Sequence, residues 1–313
     1  MPRLSGRFAG AEGRTALLLV AMLLFALSDV AAKQLGGRIP AIQIAWARYA
    51  VASVILASIC VLFGLRPGKA QARRSQLLRG LGMAGATLFQ IAALHRLPLA
   101  DATALYFVSP LLVTLLAALV LREAVRPAQW CAVLLGLAGV LVVVKPGDEG
   151  LSLFALLPLG SALCWAAAIV SSRPALRRDT VLTTLAWSAG LGLVVSSAGV
   201  VPVFATPTAG ELLWLAGLGL CWAGAHALVA CAYQGEAVAV ARLAPLSYTY
   251  LVWTLGLGEF VLGERPGAST LFGVLLIVVA GIWSQASGRG GAPAGRPLPR
   301  AASEAVTRGK SAP

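Results

Sequence analysis

Ten apolar stretches follow one another along this chain, most of them 18 to 26 residues long, enough as a helix to cross about 30 Å of hydrocarbon. They run over 15–35, 40–63, 77–95, 99–121, 129–144, 152–172, 181–204, 211–233, 237–262 and 269–285. None alternates apolar with polar residues in the roughly ten-residue pattern of membrane strands, so a barrel is excluded. A bilayer offers backbone N–H and C=O groups no water, and an unbroken apolar run that must satisfy them internally becomes a helix. Composition agrees: 58% hydrophobic residues, 12% charged and a mean hydropathy of +0.84 are far from a soluble domain, in which about a quarter of residues are charged. The expectation is an all-α integral membrane protein with ten transmembrane helices.

The fourth and ninth stretches carry a repeat. In the first copy, LPLADATALYFVSPLLVTLLAALVLREAVRP, Asp101 stands nine residues before Pro110, and Glu123 closes the run ahead of Pro127. In the second, GEAVAVARLAPLSYTYLVWTLGLGEFVLGERP, Glu236 stands nine residues before Pro245, and Glu264 closes a longer run ahead of Pro266. Copies spaced by about 135 to 141 residues mean an internal duplication, with repeats at 15–145 and 151–285. Each half holds five helices, an odd number, so the second must insert upside down relative to the first.

Basic residues set the orientation. Arg3, Arg7 and Arg14, then Arg66 to Arg79, Arg122 and Arg126, Arg173 to Arg178, and the tail from Arg289 to Lys310 gather at one set of ends. The opposite ends hold Lys33, Arg38, Arg96, Lys145 and Arg265, so both termini are expected in the cytoplasm of an inner (plasma) membrane. The same distribution accounts for the net charge of +13 without nucleic acid. The first stretch lacks a small-residue cleavage site and reads as an uncleaved helix behind a segment at 1–14. Residues 286–313, rich in Gly, Pro, Arg and Ser, read as a disordered cytoplasmic tail. Cys60, Cys131, Cys164, Cys221 and Cys231 form no C-x-x-C and read as small packing residues.

Two five-helix halves, each with an acidic-Ala helix start, a mid-helix proline, a terminal Glu and a Gly-rich last helix (Gly136 and Gly139; Gly273 and Gly281), resemble the drug/metabolite transporter superfamily, EamA branch. The resemblance covers 15–285. It implies a carrier whose central cavity is lined by the first, third, fourth, sixth, eighth and ninth helices, with the fifth and tenth outside as scaffold. The family includes exporters of amino acids, drugs and opine-type metallophores, and uptake systems for riboflavin and S-adenosylmethionine. LSDVAAKQLGGRIPAIQIAWAR and APLSYTYLVWTLGLGEFVLGE are similar to the branch with those cofactor importers.

A charge inside the bilayer costs several kcal/mol on its own and needs a partner or a task. Asp29, Arg48, His226 and Arg242 qualify. At 1.5 Å per residue, Asp29 lies about 9 Å below the outer end of the first helix and Arg48 about 12 Å below the start of the second. One reading is a structural ion pair; the other gives Asp29, with Lys33 a turn away, to a substrate ammonium or a coupling proton or ion. Arg242 can snorkel or pair with Glu236. On the eighth helix Gly219, Ala223, Ala227 and Cys231 form a ridge of small side chains, with Trp222, His226 and Tyr233 on a face beside it. That face is either helix packing with satisfied polar tips or a cavity wall that stacks a solute, with His226 titratable near neutrality. Pro110 and Pro245 each remove a backbone donor near mid-membrane, which protein or a wet cavity must make good. Gln90, Tyr106, Trp165, Tyr248 and Trp253 converge on the same helices, so the candidate substrate site is Asp29, Gln90, Tyr106, Pro110, Trp165, Trp222, His226, Tyr248 and Trp253.

Enzyme motifs are missing. Gly80-x-Gly82-x-x-Gly85 has no preceding strand and reads as close helix packing, not a dinucleotide site. There is no P-loop, H-E-x-x-H or G-x-S-x-G, and two histidines without ligand-spaced neighbours build no metal centre. The sequence points to a secondary transporter without cofactor, acting as monomer or homodimer on a small-molecule substrate. Export of a small polar, amino-acid-like metabolite is the first reading. Uptake of a cofactor-type solute such as riboflavin or S-adenosylmethionine is the alternative. A receptor or a membrane enzyme is remote.

Overall fold

The computed structural model describes residues 11–121, 126–144, 153–172, 178–232 and 244–288. Among the described residues there is no strand. Helices α1 (Ala11–Leu35), α2 (Ala41–Leu62) and α3 (Arg73–Leu94) are the first three spans. The fourth, expected as one helix over 99–121, is two: α4 (Leu99–Tyr106) and α5 (Ser109–Leu121). Pro110 is the cause. It sits in the first turn of α5, where its missing N–H costs no helical bond, and the chain turns through Phe107 and Val108 just before it. Then come α6 (Pro127–Val144), α7 (Leu156–Ser171), α8 (Val181–Val200), α9 (Ala209–Ala232), α10 (Thr249–Leu262) and α11 (Ala268–Gly288). A 3-10 turn over Ala244–Tyr248 leads into α10, and this is where Pro245 lies. Glu123, Lys145, Tyr233, Glu236, Arg242, the N-terminal segment and the tail from residue 289 lie outside the described residues.

Eight stretches, with α4 and α5 taken as one span, are long and apolar enough to cross a membrane, and α11 adds an apolar run over Ala268–Ser284. The surface has the polarity of a bilayer protein. Val61, Leu213 and Phe260 are more than 70% exposed, whereas Asp29, Gln43, Arg48 and Gln76 are at most 5% exposed. In water the exposed apolar belt would drive aggregation; in lipid it is the solvated face. This is an all-α, multi-pass membrane protein.

Packing pairs the spans across the chain. α1 lies on α9 and α10; α3 lies on α7 and α8; α2 touches α8 and α9; α7 contacts α4 and α5; α6 and α11 pack on each other. Close approach needs glycine at two crossings. A Cβ on Gly139 would come 3.0 Å from the Gly273 carbonyl oxygen, and one on Gly273 would come 2.8 Å from that of Gly139, so α6 and α11 meet backbone to backbone. On Gly82 it would lie 2.8 Å from the Cys164 carbonyl, and in Gly80-x-Gly82-x-x-Gly85 the last two glycines pack α3 on α7 while Gly80 packs it against Leu191 of α8. The small ridge of α9 works likewise, with Gly219 against Val51 of α2, although Cys231 at its end is exposed.

Two loops are held in matching ways. Gln43, in the first turn of α2, donates to the Ala205 carbonyl at 2.7 Å and accepts from its N–H at 2.8 Å. Thr183, in the first turn of α8, accepts from the Gly68 N–H at 3.0 Å and donates to its carbonyl at 3.4 Å. Asp179 joins this second tie by accepting from Gln76 and from the Gln71 N–H, and those bonds hold its carboxyl below the usual carboxylate range. Thr208 and Glu211 form a capping box at the start of α9, the Thr208 N–H donating at 2.7 Å and the hydroxyl accepting from the Glu211 N–H at 3.3 Å.

Candidate functional site

A cavity of about 320 Å³ opens between the helices at mid-span. Each wall follows helical spacing. Met22, Phe25 and Asp29 come from α1; Met83, Ala86, Thr87 and Gln90 from α3; Ser161 and Trp165 from α7; Trp222, His226 and Val229 from α9. The broken fourth span contributes Tyr106, Phe107, Ser109 and Pro110, and the start of the ninth gives Ser247 and Tyr250. Arg48 of α2 completes it. The break at Phe107 and Val108 thus turns irregular backbone towards a cavity and not towards lipid.

One side is polar. Arg48 donates to Asp29 at 2.7 Å and to the Ser28 carbonyl at 3.1 Å, with the two charged side chains 3% and 7% exposed. Tyr250 donates its hydroxyl to the other Asp29 carboxylate oxygen. Opposite charge and two donors satisfy the carboxylate, as a buried charge requires. The rest is aromatic. Trp222 and His226 meet edge-on at 4.3 Å between centroids, Phe25 packs on His226 at 4.9 Å, and Tyr49 packs on Trp222 at 5.2 Å. Tyr49 shares a hydrogen bond of 2.9 Å with Thr87, Tyr106 faces Trp165 at 6.4 Å, and Phe107 stacks on Tyr250 at 5.7 Å.

Seven of the nine candidate residues therefore share one cavity: Asp29, Gln90, Tyr106, Pro110, Trp165, Trp222 and His226. Tyr248 and Trp253 do not. Tyr248 is buried against Phe107 and reaches Gly281 of α11, and Trp253 is 38% exposed on the outer face of α10. Lys33, expected beside Asp29 at a substrate, turns away instead. It pairs with Glu264 at 2.7 Å and donates to the Leu97 carbonyl. Glu264 also accepts the Leu99 N–H at 2.6 Å, which caps α4. Gly263 makes this reach: its left-handed φ of 68° ends α10 in an αL turn, with Gly263 N–H donating to Glu259 O and Glu264 N–H reaching back to Gly258 O. Asp101, the acidic mark of the first copy, accepts from Thr270 of α11 at 2.7 Å.

Sequence reasoning missed Phe25, Tyr49, Thr87 and the bond from Tyr250 to Asp29. Phe25 was legible, one turn before Asp29; Tyr49 and Thr87 gave no separate signal. Among the described residues, no cluster of His, Cys, Asp and Glu could hold a metal.

The model of the EamA-like transporter family matches residues 15–145 and again 152–284. The S-adenosylmethionine uptake transporter of Rickettsia prowazekii is 26% identical over 262 residues, 84% of this chain and 88% of that protein. The riboflavin transporter of Vibrio cholerae is 29% identical over 276 residues, 84% and 89% of the two. The pseudopaline exporter CntI of Pseudomonas aeruginosa is 27% identical over 269 residues, 84% and 93%. One solved crystal structure superposes with a TM-score of 0.62 at 20% identity, over 89% of this chain and 98% of that one, and speaks to the fold alone.

Proposed function

This chain belongs to the EamA-like transporter family, and from that premise we propose that it takes up a cofactor-type solute that carries a planar ring, such as riboflavin or S-adenosylmethionine, by alternating access. As a family member it is a small-molecule secondary transporter of the inner membrane, not an enzyme. The observation that carries the substrate class is the cavity: aromatic rings on α1, α7 and α9, with the one described carboxylate on its wall already paired. A small aliphatic amino acid has no ring to set against these aromatic walls, so export of such a solute, the first reading of the sequence, is less well supported than uptake of a ring-bearing one. Relatives named for S-adenosylmethionine and riboflavin point the same way, against one named as an exporter.

Alternating access follows from two inverted five-helix repeats, at 15–145 and 151–285. Three observations support that architecture. The family model matches twice. The packing pattern is its own counterpart when the spans of the two halves are exchanged, α1 on α9 answering to α7 on α3, and α2 on α9 to α8 on α3. The Gln43 clamp on Ala205 has its equivalent in the Thr183 clamp on Gly68, at offsets within the repeat spacing of about 135 to 141 residues. Both termini are cytoplasmic in this reading, and the Leu35 end of α1 is external. Lys33, Glu264 and Leu99 then close the external end of the cavity by joining the two halves.

Flux into proteoliposomes tests the function. Saturable entry of riboflavin or labelled S-adenosylmethionine, down its own gradient or driven by an ion gradient, is the expected result. No entry of either, with outward movement of an opine-type metallophore from loaded vesicles, would reverse the reading.

A further inference from the structure

Of the three buried glutamines among the described residues, Gln90 alone has neither end of its amide bonded. Gln43 uses both ends of its amide on Ala205, and Gln76 donates its Nε2 to Asp179 at 2.8 Å and to Thr184 at 3.0 Å, leaving only its Oε1 open. Gln90 is only 7% exposed, lies on the cavity wall, and has no hydrogen-bond partner for either Oε1 or Nε2. Burying an unpaired amide costs stability, and an apolar side chain of the same shape would remove that cost. A fold that bonds the amide of each other buried glutamine among the described residues, and leaves both ends of this one open at a cavity, keeps its donor and acceptor for something that enters.

We propose that Gln90 is the specificity-determining residue of this cavity and reads an adjacent donor–acceptor edge of a planar heteroaromatic ring. The proposal rests on the uptake reading above and narrows it. A primary amide presents one acceptor and one donor side by side in a plane, the geometry with which Asn and Gln hold the edge of adenine. The matching edge on a solute is an N–H beside a ring carbonyl, as in a flavin, or an exocyclic amine beside a ring nitrogen, as in adenine. Gln90 stands one turn along α3 from Thr87, whose hydroxyl bonds Tyr49, and Tyr49 in turn packs on Trp222. The edge reader therefore sits beside the aromatic wall, where a ring stacked on those side chains has its rim within the plane of recognition. The Nε of Arg48, also buried without a partner on this wall, is a further donor for a ring carbonyl. Asp29 and Arg48 neutralise each other, so on this wall the ring is read by Gln90 and the aromatic side chains.

Binding to the purified full-length protein, by equilibrium dialysis, separates the cases. The probes are riboflavin and its N3-methyl derivative, and S-adenosylmethionine and its N6,N6-dimethyl derivative; each methylation blocks the edge and spares the ring. Wild type should bind one parent compound about tenfold or more tighter than its blocked partner. Gln90→Leu should bring that ratio to within about twofold while melting at or above the wild-type temperature. Should Gln90→Leu fail to accumulate, Gln90→Met supplies the same apolar test. A variant that keeps the full discrimination overturns the role of Gln90 and leaves the uptake reading standing. Wild-type protein that binds neither parent overturns the uptake reading, and this inference falls with it. Which pair shows the preference tells a flavin edge from an adenine edge.

Discussion

Two ion pairs start from residues one turn apart on α1 and have little else in common. Asp29 meets Arg48 at 2.7 Å and Lys33 meets Glu264 at the same 2.7 Å. The first pair is 3% and 7% exposed and receives a further bond from Tyr250; the second is 18% and 22% exposed, at the end of the bundle. Distance does not separate them, but surroundings do. A buried pair is costly to break because the surviving charge is stranded, while a pair in reach of water exchanges its partner for hydration at little cost. The first can hold the cavity wall through every conformation. The second can open.

The largest effect should come from splitting the buried pair. Asp29→Ala or Arg48→Leu alone should lower stability by about 3 to 5 kcal/mol, and Asp29→Leu with Arg48→Leu should recover much of it. Thermal melting of the purified variants measures this. Singles that melt like wild type would erase the contrast between the pairs, and a stable double variant without flux would assign Asp29 a role in transport as well.

Breaking the exposed pair should cost less in stability and show in conformation. Glu264→Gln keeps an acceptor for the Leu99 N–H and loses only the charge, so about 1 kcal/mol or less is expected. With all five native cysteines replaced, a cysteine put at Ala86 on the cavity wall should react several-fold faster with an impermeant thiol reagent added at the Leu35 end. Unchanged labelling would mean that Lys33 and Glu264 hold nothing shut.

The smallest effect is one of pH, and it arises at His95, near Lys33 of the exposed pair. His95 lies just past α3 in contact distance of Gly36, and burial holds its imidazole below the usual histidine range, helped by Arg96 and Lys33 and opposed by a backbone hydrogen bond at Ala32. Because the folded value is depressed, the unfolded chain binds the proton first. Stability is full above about pH 6.5 and falls as pH drops from there towards the folded value. Melting of wild type should fall between pH 7.5 and 5.5 more than that of His95→Gln; equal slopes would take His95 out of the account.

Much of this was legible in the sequence, and for physical reasons. Charges in an apolar run must find each other, so depth alone paired Asp29 with Arg48. Trp222 and His226 follow four-residue spacing on an unbroken helix and landed on the cavity as the spacing required. The segment Tyr248-Thr249-Tyr250 was legible only as aromatic. Neighbours two apart on a helix point nearly opposite ways, and the 3-10 turn over Ala244–Tyr248 sets a phase that spacing cannot supply. Hence Tyr250, not Tyr248, reaches Asp29, and Trp253 faces outward. Lys33 was misplaced for a different reason: its partner, Glu264, arrives from the other half of the chain through a left-handed turn at Gly263.

The central claim is that a planar solute rests against Trp222 in the cavity and not on the periphery of the bundle. Its most direct measurement is the dissociation constant of the transported ring for Trp222→Ala and for Trp130→Ala, Trp130 being 42% exposed on α6. Loss of the stacking partner should weaken binding by about 0.5 to 1.5 kcal/mol beyond lost area, roughly two- to thirteenfold, with melting unchanged, while Trp130→Ala leaves affinity at the wild-type value. Weaker binding in Trp130→Ala, with Trp222→Ala indistinguishable from wild type, would contradict the account and make the aromatic face of α9 ordinary helix packing.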